Sequence, residues 1–300
     1  MDVAVLGAGR AGRAIAQVCA RGDCHVTLHD DDATTAMDSI DVIERRLEDA
    51  GVSEPAAVLD RIEATTDLET AVSGSAIVIE TTLESESPLQ ERFAELEELV
   101  DRDTVIATGV PTVSVTAAAA GLRQPDRALG LAFYRPLETD LVEIVVPEQT
   151  ARSTVEQGER LIDGTDLTGV VIRDVPGVAS ARLGLSLEVE AMRLVANRVA
   201  SVSAVDSVFR STYGTAPGPL ERADRAGLDE RLVTLESLAG ALGPRFEPPP
   251  LLVELVETGN TGADAGEGFY RWEGGDPVES ALPDPEIARP DDRPEDPALE

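Results

Sequence analysis

Three glycines in the run Gly7-Ala8-Gly9-Arg10-Ala11-Gly12, with an acid at Asp30, are the residues here best spaced for chemistry on a phosphate-bearing ligand. Each glycine meets a separate steric need. Gly7 permits a tight turn, Gly9 lets the backbone approach a pyrophosphate, and Gly12 lets a helix lie close to a sheet. Arg10 and Ala11 open that helix, whose first N–H groups and partial positive charge suit phosphate. Asp30, about 20 residues into the unit, can accept hydrogen bonds from an adenosine ribose. Asp30-Asp31-Asp32 would repel a ribose 2′-phosphate, and no arginine lies near enough in sequence to attract one. NAD is therefore the expected cofactor rather than NADP.

The elements around these residues are what make the glycines informative, since glycine-rich turns are common. Asp2–Leu6 reads as a buried strand, Arg13–Ala20 as a helix, and His25–His29 as a second strand ending at Asp30. Strand and helix signals then alternate as far as residue 175, the pattern of a mostly parallel sheet covered on both faces. Helices are expected over 33–50, 87–100, 115–120 and 155–163, and strands over 75–80, 104–107, 127–133, 141–146 and 170–172. The expected fold is α/β, with a Rossmann-type doubly wound sheet over residues 1–175. Val175-Pro176-Gly177 marks a boundary. Helical patterns at 179–197, 202–212 and 230–242 then predict a smaller all-helical domain over 176–274, serving substrate binding and dimerisation. Residues 275–300 are proline-rich, acidic and aperiodic, and read as a disordered tail.

Composition narrows the function classes. The chain has 57 acidic residues against 25 basic ones, all arginine, for a net charge of −32. Apolar periodicity persists along most of it, which argues for a folded protein with a carboxylate-loaded surface rather than for disorder. Such a surface suits a salt-rich, halophilic cytoplasm, where molar salt shrinks the Debye length to about 3 Å. A basic face for nucleic acid is excluded. No apolar run reaches the roughly 18 residues of a membrane span, and the N-terminus lacks a signal-like pattern, so a cytoplasmic location is expected. Cys19 and Cys24 read as free thiols, and His25 and His29 have no partners at metal-ligand spacing.

Taken together, four stretches resemble the 3-hydroxyacyl-CoA dehydrogenase family from about residue 2 to 272. They are the glycine fingerprint, Ile79-Glu80-Thr81-Thr82-Leu83-Glu84, Gly130-Leu131-Ala132-Phe133-Tyr134-Arg135-Pro136 with Leu141–Val145, and a C-terminal set. That last set is Asp174-Val175-Pro176-Gly177, Gly218-Pro219-Leu220-Glu221 and Gly266-Glu267-Gly268-Phe269-Tyr270. The resemblance implies a role in fatty acid metabolism, an acyl-CoA substrate, a homodimer and Glu84 as a cofactor contact. It also implies a catalytic histidine with a glutamate that orients and charges it. The glutamate is Glu143, but the histidine position is Ala132, which cannot transfer a proton.

Other polar positions of the family are altered as well. The asparagine beyond the histidine is Arg135, and a serine- and asparagine-rich run is replaced by Thr108-Gly109-Val110-Pro111-Thr112. Three readings stay open. One is a dehydrogenase with a rewired proton relay through Tyr134, Glu143 or water. The second is a dehydrogenase for a different substrate, with Arg135 clamping a carboxylate and Thr112 beside it. The third is an NAD-binding protein without turnover that acts as a binding or regulatory partner.

Overall fold

The computed structural model of the protein describes residues 1–286 apart from 84, 111, 112, 135 and 138. It divides into two compact units, Met1–Ser180 and Ala181–Glu300. The boundary falls a few residues beyond the 175 expected from the proline-glycine signal.

The first unit runs β1 (Asp2–Leu6), α1 (Arg10–Arg21), β2 (His25–His29), α2 (Ala33–Asp49), α3 (Pro55–Leu59), β3 (Ile62–Thr65), α4 (Leu68–Val72) and β4 (Ile77–Glu80). It continues with α5 (Glu86–Leu99), β5 (Val105–Thr108), α6 (Val115–Ala119), β6 (Ala128–Phe133), β7 (Leu141–Val146), α7 (Arg152–Asp163) and β8 (Thr168–Arg173). The strands form one sheet in the order β3-β2-β1-β4-β5-β6-β7-β8. All neighbours are parallel except β6 and β7. β4 and β5 are buried along their whole length, as central parallel strands covered on both faces must be. Val3, Val5, Ile15, Leu28, Ile77 and Ile79 belong to one core under the β1–α1 turn. The order reverses at β1, and ligands of doubly wound sheets bind beyond the strand ends at such a point.

The second unit contains most of α8 (Ala179–Ala196), then α9 (Val202–Tyr213), α10 (Pro219–Ala226), α11 (Leu228–Leu242), α12 (Pro250–Glu257), β9 (Tyr270–Glu273) and β10 (Asp276–Ser280). The expected helical domain is present, and beyond its helices it ends in an antiparallel hairpin. The tail expected over 275–300 is corrected at its start, where Asp276–Ser280 pairs with β9, and residues 287–300 lie outside the described residues. The hairpin has a local cause. Tyr270 and Trp272 are buried while Arg271 and Glu273 are exposed, a period of two, and Gly274-Gly275 turns the chain with φ of +60° and +89°.

Two buried carboxylates tie this unit together. Asp206 of α9 accepts from the backbone N–H of Leu220 (2.9 Å) and Glu221 (2.9 Å), which start α10, and from the Tyr270 hydroxyl (3.0 Å). Asp224 of α10 accepts from the backbone N–H groups of Phe269 (2.9 Å) and Tyr270 (2.8 Å) and from Trp272 Nε1 (3.0 Å). A Cβ on Gly218 would stand 2.4 Å from Asp206 Cγ, and one on Gly268 would stand 2.3 Å from Asp224 Oδ1. Those two glycines of the family-like stretches are small because a carboxylate occupies the side-chain space.

Candidate functional site

The β1–α1 turn is built as its three glycines require. Gly7 has φ +102°, a region that disfavours side chains, and its N–H donates to the His29 carbonyl (2.7 Å). A Cβ on Gly12 would stand 1.7 Å from the Gly7 carbonyl oxygen, so α1 could not begin where it does. Gly9 differs from both, because a Cβ there would meet nothing within 4 Å. No protein atom needs Gly9 to be small, which fits a requirement set by a ligand approaching from outside.

The start of α1 fits the same requirement. Asp32, Asp67, Ser114 and Ser201 cap α2, α4, α6 and α9 with their side chains. α1 has Gly9 at that position, no side-chain cap and no acid in its first turn. Its first N–H groups, including those of Arg10 and Ala11, are left for an anion. Asp30 lies at the end of β2, where Oδ2 accepts from the Ala8 N–H (2.8 Å) and Oδ1 from the Asp32 N–H (3.0 Å). The acid expected at the ribose thus also fixes the glycine turn, a role its spacing did not reveal. Asp32 caps α2 through Thr35 N (2.7 Å), so neighbouring acids do different work.

Beside the turn, Thr81 Oγ1 donates to the Leu6 carbonyl (2.7 Å). Glu80, 1% exposed, accepts from the N–H and hydroxyl of Thr82 at 2.7 and 2.6 Å. The first acid of the strand-end motif is a structural anchor for the segment over Gly7. The second, Glu84, lies outside the described residues, as do Thr112 and Arg135.

β6 and β7 bring the chemical positions together. Ala132 stands opposite Glu143 in the antiparallel register. Glu143 is 2% exposed, and it is no ordinary strand-end carboxylate. Its Oε1 accepts from the N–H groups of Ala179 (2.9 Å) and Ser180 (2.9 Å), and its Oε2 from Ser180 Oγ (2.5 Å). These are the first residues of α8, so the carboxylate sits on a helix N-terminus, where its charge is favoured. Ser180 is a partner that sequence reasoning missed, since it lies 37 residues from Glu143.

A small cavity beside Ala132 is lined by Thr108, Gly130, Val145, Asp174 and Val178, among others. Asp174 accepts from Ser114 Oγ (3.1 Å) and Thr116 N (2.6 Å) at the start of α6. Val178 has φ +41°, a strained conformation for a β-branched residue, and it is buried against the cavity. Cys19 and Cys24 are free and buried, and burial raises both thiols above their ordinary range. Among the described residues, no helix is long and apolar enough to cross a membrane.

Comparison with known proteins places this geometry among relatives. The family model for the 3-hydroxyacyl-CoA dehydrogenase NAD binding domain matches residues 2–175, and that for the C-terminal domain matches 177–272. A probable 3-hydroxybutyryl-CoA dehydrogenase of Deinococcus radiodurans is 31% identical over 91% of this chain and 100% of its own. The crystal structure of 3-hydroxybutyryl-CoA dehydrogenase from Escherichia coli superposes with a TM-score of 0.86 at 31% identity, covering 91% of this chain and 59% of that longer one. The (S)-3-hydroxybutyryl-CoA dehydrogenase of Ralstonia eutropha gives 0.85 at 26% identity, over 91% and 99%.

Proposed function

The chain belongs to the 3-hydroxyacyl-CoA dehydrogenase family, and from that premise we propose that it oxidises the 3-hydroxyl of a hydroxyacyl-CoA with NAD, using a proton relay of its own. The observation that carries the cofactor half is the pairing of an uncapped α1 with open space at Gly9 and with Asp30 at the end of β2. Gly7, Gly9, Arg10, Ala11 and Gly12 would hold the pyrophosphate of NAD, and Asp30 its ribose. Bound there, NAD supplies a hydride acceptor. The residues fit the group.

The proton half departs from the family pattern. Ala132 stands where the resemblance assigns a histidine, so no imidazole faces Glu143. The Glu143 carboxylate is committed to three donors at the start of α8, which suits it to positioning that segment. We assign the hydroxyl proton to water in the cavity beside Ala132. Losing a general base costs about 10²–10⁴-fold, so slow turnover is the expected outcome.

Other parts of the reading rest on surface properties. The carboxylate excess fits a halophilic cytoplasm. Leu183, Val208, Tyr213 and Val233 of the helical unit are each more than 60% exposed, and supply apolar area for a homodimer.

One experiment tests the assignment. In multimolar KCl, NADH binding is followed by fluorescence, and NADH oxidation is measured with acetoacetyl-CoA for wild type and Ala132→His. Slow wild-type turnover that rises about 10²-fold or more in the variant supports the reading. Binding of NADH without turnover in either protein favours the partner-protein alternative. An absence of NADH binding overturns the proposal.

A further inference from the structure

The proton assigned to water beside Ala132 needs a final acceptor. Of the relay residues suggested by the sequence, neither Tyr134 nor Glu143 lines that cavity. Among the described residues of its wall, Asp174 alone can titrate. Asp174 follows β8 directly, and its N–H donates to the Val146 carbonyl (3.1 Å). Both donors to its side chain, Ser114 Oγ (3.1 Å) and Thr116 N (2.6 Å), meet the same oxygen, Oδ2. Oδ1 has no donor among the described residues, and the residue is only half-buried. The carboxylate is thus held by one oxygen and left open at the other. Capping does not account for this arrangement, since Ser114 already caps α6 through Ala117 N (3.1 Å). Thr108 also lines the cavity and is 2% exposed. Its Oγ1 accepts from Val110 N (3.2 Å), which leaves its hydrogen to donate elsewhere.

We propose that Asp174 is the proton acceptor of the rewired relay, taking the 3-hydroxyl proton of the substrate through one water held between its Oδ1 and Thr108. This rests on the dehydrogenase reading of the site. The small side chain of Ala132 leaves the space in which that water sits. A buried water makes two to four hydrogen bonds, and here it has three. It accepts from Thr108 and from the substrate hydroxyl, and it donates to Asp174. The step balances without a further reagent. As hydride leaves C3 for bound NAD, the hydroxyl O–H breaks toward the water. The water passes one of its own protons to Oδ1, and the C3–O bond becomes a carbonyl. Asp174 is open enough to return the proton to solvent afterwards. Thr108 is a positioning residue that orients the water.

The test compares wild type, Asp174→Asn, Ala132→His and the double variant, as full chains at one multimolar KCl concentration. NAD reduction is followed with 3-hydroxybutyryl-CoA, and NADH binding by fluorescence. Asparagine keeps an acceptor oxygen for Thr116 N but cannot take a proton. In the wild-type background Asp174→Asn should lower kcat by about 10²-fold, with KM and NADH affinity unchanged. In the Ala132→His background the imidazole takes the proton, so the same substitution should change kcat by no more than about twofold. A second measurement needs no variant at position 174. In mixtures of H2O and D2O the wild-type rate should fall along a curve, because two protons move together, whereas one transfer gives a straight line. A crystal structure of the wild type should hold an ordered water within about 3.2 Å of Asp174 Oδ1.

Equal losses of kcat in the two backgrounds make the role of Asp174 structural and overturn the proposal. A straight line in the isotope mixtures, or no water at Oδ1, overturns it as well. Turnover in Ala132→His with none in wild type removes the relay and leaves the dehydrogenase reading standing. NADH binding with no turnover in either protein removes the dehydrogenase reading, and the relay falls with it.

Discussion

Asp224→Asn tests how the helical unit holds its C-terminal hairpin, and its effect on stability should depend on pH. Asp224 is 1% exposed and accepts hydrogen bonds from Phe269, Tyr270 and Trp272. Asparagine has the same outline but only one acceptor oxygen, and its amide must face at least one of those three donors. The better orientation keeps the oxygen on Tyr270 and Trp272 and leaves the Phe269 N–H unpaired, which costs about 1–3 kcal/mol.

A second effect opposes this loss. Desolvation is the largest influence on Asp224 and raises its pKa from 3.8 to about 6, against the pull of its three donors. A raised folded value means that the protonated group favours folding. That contribution is complete below the unfolded value and is lost as pH rises through about 6. Two pKa units correspond to about 3 kcal/mol, and asparagine abolishes the dependence. At pH 7.5 the variant should therefore lie close to wild type, because removal of a buried charge offsets the missing hydrogen bond. At pH 4.5 it should be less stable by about 1–3 kcal/mol. Urea unfolding of both proteins across this range, at one KCl concentration, gives the difference directly and cancels the titration of other acids. A difference that stays flat with pH would refute the reasoning. So would a loss of more than about 4 kcal/mol at pH 7.5, since the ionised carboxylate would then be strongly favourable.

Three further outcomes follow from the geometry. Gly12→Ala drives a methyl into the Gly7 carbonyl and should cost about 3 kcal/mol or more, whereas Gly9→Ala meets no atom and should leave melting unchanged within about 0.5 kcal/mol. NADH affinity should nevertheless fall by about tenfold or more in Gly9→Ala, and equal melting losses in the two variants would contradict the division of roles. Glu143→Ala strips the acceptor from Ala179 and Ser180 and should cost about 1–3 kcal/mol, with faster amide exchange at the start of α8. Unchanged exchange there would remove the positioning role. Raising KCl from about 0.1 to 1 M shortens the Debye length from about 10 to 3 Å and should raise the melting temperature. A flat or falling curve would show that surface repulsion does not limit stability.

What could be read in advance was local. Val3–Leu6, the glycine turn and α1 follow one another without interruption, and the buried strands β4 and β5 are apolar up to the Glu80 and Thr108 that end them. β3 escaped notice because Ile62-Glu63-Ala64-Thr65 is short, half-polar and at the sheet edge, where one neighbour suffices. The hairpin after Phe269 did carry signals, alternating burial and a Gly-Gly turn, but the acidic proline-rich composition around it spoke louder. The site partners were hidden for a different reason. Glu143 meets Ser180, and Asp206 meets Tyr270, only after the chain has folded. Periodicity reports which face of an element is buried, and it carries no record of which distant donor a carboxylate will find.

The double engagement of Asp30 constrains how cofactor choice could change. In many dinucleotide enzymes the acid at the ribose is a recognition element that could be exchanged alone. Here the same carboxylate holds the Ala8 N–H and the Asp32 N–H, so it also splints the turn proposed to receive the pyrophosphate. Replacing it to admit a bulkier ribose would slacken the phosphate grip in the same stroke. A lineage moving toward a phosphorylated cofactor would first have to brace Ala8 by other means, which makes the present preference hard to reverse by single substitutions.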